Sequence, residues 1–228
     1  MTSTGLLQAL RRPRFHGKVL PTATRRLIYI SDLDPHSILA LAANTSRPQA
    51  LALRNAFHKH ITFQASIGVT LTSLRRPTFQ LELHLPFFLL QKTSGHGSGS
   101  ANKARNRERI QRRFTNLSFP GVSNLGSGEL GLYGISEAQF SCVVIGSDER
   151  CWTAYQFVDS EIDKSIVGQL ETGLNSDHIL SRQFGANMRI CRPRDYMLHI
   201  LEIRIAQVRR EWEYIVRKLD TWINQYVC

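Results

Sequence analysis

The chain is predicted to be an α+β protein: an antiparallel or mixed sheet packed with helices, plus one long C-terminal heptad-patterned helix. Three observations carry that prediction. Thr78 to His84 alternates strictly, with Phe79, Leu81 and Leu83 on one face and Gln80, Glu82 and His84 on the other, the period of a strand with one buried face. Asp34-Pro35 opens an apolar run in the manner of a helix start, because the carboxylate accepts free N–H groups where proline has none to offer. From Leu198 to Tyr226 apolar side chains recur at alternating steps of three and four, a heptad repeat.

The elements follow in order. Residues 1–26 carry six basic side chains and no acidic one. That composition suits either a basic disordered N-terminus or a mitochondrial presequence. Leu27 to Ile30 reads as a short strand. A helix follows from Pro35 through Ile38, Leu39 and Leu41 to about Asn44, and a second is capped by Thr45 or Ser46, with Leu51, Leu53, Ala56 and Phe57 among its apolar positions. Ile67 to Leu71 and Thr78 to His84 are strands, and residues 27–90 form the first part of the α+β domain.

Residues 91–115 lose all periodicity and are predicted to be a basic flexible linker. Within residues 92–113 seven basic side chains stand against Glu108 alone. The second part of the domain, 116–192, holds two strands, Ala138 to Ile145 and Cys151 to Val158, joined by a tight loop at Gly146 to Arg150. One short helix is expected near Ile166 to Leu170.

Residues 193–228 are predicted to be one stalk-like helix, begun by Pro193 and roughly 50 Å long at 1.5 Å per residue. Its seam is Leu198, Leu201, Ile205, Val208, Trp212, Ile215, Leu219, Trp222 and Tyr226. This stripe has two readings: one face of a helix packed on the sheet, or a surface that associates with another copy or a further domain. Trp212, Trp222 and Tyr226 are bulky for a tight two-stranded seam. The pattern still runs at Cys228, which leads us to expect a continuation.

The net charge of +11 on 228 residues suggests a nucleic-acid partner until it is located. The two basic segments together carry +12, and the remaining 16 basic and 17 acidic residues nearly cancel. A basic groove on the folded surface is therefore not expected. Lys103, Arg105, Arg107, Arg109, Arg112 and Arg113 are the residues that would contact phosphate or act as a nuclear import signal. They lack interleaved aromatics for base stacking. The other reading of the segment is a solubilising loop.

Chemistry-bearing motifs are few. Gly126 to Gly131 matches G-x-G-x-x-G, but Pro120 and Gly121 precede it and Gly134 interrupts the helix that should hold a phosphate. Asp159, Glu161 and Asp163 resemble a calcium run, yet Lys164 and Leu170 occupy the positions where an EF-hand requires glycine and glutamate; a solvated loop is predicted. His58 and His60 point to different helix faces. Cys142 and Cys151 have two readings, a pair approaching across the hairpin without the further ligands of a zinc site or, as favoured, small core residues, and the four cysteines are read as reduced thiols of a cytoplasmic protein. No nucleophile elbow, metalloprotease motif or P-loop occurs. No catalytic, cofactor or metal site is predicted, and no stretch reaches the ~18 apolar residues of a membrane span.

Several phrases together resemble a group of fungal proteins with a CorA-like magnesium transporter region. They are Arg26 to Pro35, Phe79 to Phe87, Gly146-Ser147-Asp148, Trp152 to Asp159 and Pro193-Arg194-Asp195-Tyr196. The resemblance covers most of 26–228 outside the linker. It implies a soluble α/β domain leading into a stalk helix, in a family whose pore carries Gly-Met-Asn between membrane helices. This chain has neither span nor signature (Gly185-Ala186-Asn187-Met188 is not it), so it is not expected to conduct ions by itself. Membrane association would need a longer chain that supplies spans.

Overall fold

The structure, a computed structural model, describes residues 3–11, 25–72, 78–93, 110, 112–117, 132–162 and 192–227. Its elements are α1 (Ser3–Arg11), β1 (Arg25–Ser31), α2 (Pro35–Asn44), α3 (Arg47–Ile61), β2 (Ser66–Thr72), β3 (Thr78–Thr93), β4 (Phe114–Asn116), β5 (Leu132–Gly146), β6 (Trp152–Val158) and α4 (Pro193–Val227). The strands pair in the order β1-β6-β5-β3-β2, with β4 added on β5. β1 runs parallel to β6, while β2–β3, β4–β5 and β5–β6 are antiparallel. The α+β class and the mixed sheet are as predicted. Two compact units are built from this chain, one from Met1–Pro86 with Gln139–Ile203 and one from Phe87–Ala138 with Arg204–Cys228.

In the first unit the local signals act as the sequence implies. Asp34 Oδ1 accepts the N–H groups of His36 and Ser37 at 2.8 and 2.9 Å, and its other oxygen takes the Ser37 hydroxyl. Burial alone would raise the Asp34 pKa; the Ser37 and His36 hydrogen bonds outweigh it and hold the carboxyl below its usual range. Ser46, not Thr45, begins α3, and its N–H donates to Gln49 Oε1 at 3.3 Å. In the β5–β6 turn Asp148 Oδ1 accepts from the N–H groups of Arg150 and Cys151 at 2.7 and 2.8 Å.

Four expectations are corrected in this unit. Residues 3–11 form a helix, where a disordered N-terminus was expected; the Arg26 guanidinium donates to the Leu10 carbonyl at 3.4 Å. The central strands of the sheet are buried on both faces instead of one, so His84 is as inaccessible as Leu83. On one face α3 packs Phe57 against Phe157 with centroids 5.2 Å apart. On the other, Tyr196 of α4 meets Trp152 at 5.2 Å and takes a 2.6 Å hydrogen bond from Gln156. All seven residues of β6 are buried as a result. Asp159, expected on a solvated loop, is buried. Cys142 stands opposite Gln156 in register instead of approaching Cys151, and both are reduced thiols.

The second unit holds the end of β3, β4, the start of β5 and most of α4. β3 continues through Pro86, so the strand expected over Thr78 to His84 ends at Thr93. The Phe114 ring lies over Gly134, where an added Cβ would collide with it; an aromatic thus covers the gap that a strand glycine leaves. Trp222 meets Tyr133 at 5.2 Å, and Trp212 meets the edge of Phe88 at 6.1 Å. Residues 94–109, with Lys103, Arg105, Arg107 and Arg109, lie outside the described residues. So do Gly126 to Gly131, Asp163 and the helix expected at 166–170.

Candidate association surface

The structure brings together one group of catalytic residue types in a chain for which the sequence predicts no catalytic site. His60 Nδ1 and His84 Nδ1 lie 2.9 and 2.8 Å from the same atom, Ser141 Oγ. His60 Nε2 faces Asp159 Oδ1 at 3.4 Å. The other Asp159 oxygen accepts the Gln139 backbone N–H at 2.7 Å, and the Gln139 amide donates to the Gln64 carbonyl at 3.1 Å. A carboxylate accepts only, so a neutral His60 carries its proton on Nε2 and receives the Ser141 hydroxyl on Nδ1. The Ser141 lone pair then accepts from His84 Nδ1–H. The order Ser141–His60–Asp159 is that of a nucleophilic triad.

Its position denies it that use in this conformation. Ser141, His60 and His84 are fully buried, so no substrate reaches the hydroxyl. The network joins α3 to β3, β5 and the end of β6. Nor do its donors make a metal centre: among the described residues no cluster of three His, Cys, Asp or Glu side chains could hold an ion. A neighbouring polar group is simpler. Lys59 Nζ binds Glu82, and Ser66 Oγ donates to the same carboxylate at 2.9 Å. Burial pushes the Glu82 pKa up, but the Lys59 and Ser66 hydrogen bonds outweigh it and bring it below the ordinary range.

The outer surface of α4 is different. The helix is continuous from Pro193 to Val227, as predicted. Its buried row, however, is Tyr196, Ile200, Arg204, Gln207, Glu211 and Ile215, three polar residues among them. Arg204 Nη1 donates to Gln207 Oε1 at 2.8 Å, so at least part of this polar stretch is satisfied within the helix.

Of the nine residues expected in the seam, only Ile215 is fully buried. Leu201, Val208, Leu219 and Trp222 are half-buried; Leu198, Ile205 and Trp212 are exposed; and the Tyr226 side chain lies outside the described residues. Val216 and Ile223 extend the exposed row. Leu198, Ile205, Trp212, Val216 and Ile223 follow one another at steps of 7, 7, 4 and 7 and are each 45–62% exposed. At 100° per residue all five fall within a narrow strip along the helix. Single exposed apolar residues are ordinary, whereas these five are aligned along one face of the helix.

A second apolar exposure lies on β2, at the end of the strand order. Ile67, Val69 and Leu71 share a face and are 69–75% exposed, and the strand contains neither charge nor proline. Such an edge invites non-specific pairing. Val69→Lys should therefore reduce light scattering from concentrated protein while leaving its defined oligomeric state unchanged.

The basic candidates form no such surface among the described residues. Arg112 is half-buried, and Arg113 is tied through its backbone: its carbonyl accepts from Glu137 N–H at 3.0 Å, and its N–H donates to Glu137 Oε2 at 3.2 Å. No helix among the described residues is long and apolar enough to cross a membrane. Compared with family models, with curated proteins and with solved structures, the chain matches none.

Proposed function

We propose that this chain is a non-enzymatic domain, akin to the soluble region of fungal CorA-like proteins, that associates with a second copy of itself through the outer face of α4. The observation that carries the reading is the exposed row from Leu198 to Ile223, carried on a single 35-residue helix. A second copy is the fitting occupant because the row is itself heptad-spaced, which is the spacing two helices share when they pack along each other.

Magnitudes place the association in a moderate range. Covering five half-exposed side chains from each copy is worth on the order of 10 kcal/mol before costs. Lost translational and ordering freedom takes back at least about 4 kcal/mol of this, and a net of about 6 kcal/mol corresponds to a dissociation constant of roughly tens of micromolar.

Sedimentation equilibrium tests this. The wild-type chain should self-associate with a dissociation constant of roughly tens of micromolar. Ile205→Asp should weaken that by roughly 30-fold, the equivalent of about 2 kcal/mol for a carboxylate set in an apolar contact. Ile205 is already exposed, so the variant should keep its circular dichroism spectrum. Ala206→Asp, one position round the helix, should behave as wild type. A wild-type chain that stays monomeric at several hundred micromolar would sink the reading.

A further inference from the structure

We infer that the two copies pair antiparallel, about a two-fold axis that crosses α4 between Arg210 and Glu211. This rests on the self-association reading and specifies its geometry. In an isologous contact residue i meets residue j and j meets i. For antiparallel helices the two residues then stand equally far from the axis.

The exposed row has that symmetry. Leu198 and Ile223 are equidistant from the point between Arg210 and Glu211, and so are Ile205 and Val216. The remaining member, Trp212, is equidistant with Arg209, so each indole is offered a guanidinium from the other copy, a favourable cation–π pair. Arg209 also comes within a residue of Glu213 across the axis, the residue it already binds at 2.8 Å in its own helix.

The flanks decide between orientations. On one side of the row run the half-buried Leu201, Val208 and Leu219; on the other run Glu202, Glu213 and Asp220. A two-fold axis perpendicular to an antiparallel pair brings each flank against its own kind. Leu201 then meets Leu219 of the second copy, and the charged flank meets the charged flank at the solvated rim. Parallel pairing would lay the carboxylates on the leucine side and stack Trp212 on Trp212. The one unfavourable approach in the antiparallel arrangement is Glu202 towards Asp220, which lies at the rim where screening is strong.

Mild oxidation of the full-length Ile205→Cys/Val216→Cys variant, followed by peptide mass spectrometry, tests the orientation. Opposed positions come within the ~7 Å Cα separation a disulfide spans. The expected product joins position 205 of one copy to position 216 of the other. The single variant Ile205→Cys should give no 205–205 link. Glu202→Lys offers an independent readout, since it places a cation near Asp220 and should tighten the dimer several-fold. A 205–205 link, or a dimer without the 205–216 link, overturns the antiparallel geometry and leaves self-association standing. A monomer by sedimentation removes both.

Discussion

Asp159→Ala should cost the fold about 3 kcal/mol, a large fraction of the 5–15 kcal/mol that holds an ordinary domain together. The carboxylate joins two elements that are far apart in sequence: one oxygen takes the Gln139 N–H at 2.7 Å and the other faces His60 Nε2 at 3.4 Å. Alanine leaves a buried backbone donor and a buried imidazole without this acceptor. Orphaned buried groups cost about 1–3 kcal/mol each, and more where charge is involved. Asp159→Asn should be milder, by roughly half, because its amide oxygen still accepts from Gln139. Urea unfolding of the three proteins measures the series. Equal stability for alanine and wild type would mean that the network contributes nothing to the fold.

The same network shows where sequence reading ran out. The elements were legible because their signals are local. Asp34 and Pro35 act within one turn, the β3 alternation spans seven residues, and the α4 repeat is carried by one continuous stretch. His84 was assigned to a solvated face because it alternates with Leu83. Its partner in the buried layer is Ser141, 57 positions away, which also binds His60 from 81 positions away. Pairing of that range leaves no periodic trace in either segment. Asp159 was misplaced for the same reason, since its partners Gln139 and His60 belong to other elements.

The terminal helix was misread in a more instructive way. Hydrophobic periodicity locates an apolar stripe, and the usual inference is that the stripe faces the core. Here Arg204, Gln207 and Glu211 are buried, while Leu198, Ile205 and Trp212 are not. Polar residues enter a core when partners satisfy them, as Gln207 does for Arg204. The stripe is then left exposed. Heptad spacing and inward burial are separate properties, and only the first is written in one segment of chain. The candidate site was therefore half legible: its residues were named, but the structure was needed to show which of them face outward.

Acid should weaken this protein before its carboxylates titrate, and His84 should be the cause. Burial drives the His84 pKa from 6.5 to about 4; Glu82 opposes it, and the positive charge of Lys59 pushes the same way as burial. The sign follows from linkage. Between pH 6.5 and about 4 the unfolded chain binds a proton at this histidine and the folded chain does not, so stability rises with pH across that window. The full span is worth about 3 kcal/mol, at 1.36 kcal/mol per unit. Glu82 and Asp34 have lowered pKa values. Their contribution is complete above the unfolded carboxylate range and is lost only as pH falls through their folded values, mostly below the histidine window. Urea titrations at half-unit steps should therefore show a decline beginning near pH 6.5. His84→Gln, which keeps an amide donor for Ser141 and removes the titration, should start less stable at pH 7.5 and decline much less on acidification. Parallel curves for the two proteins would show that His84 is not the group that acid must charge to open this core.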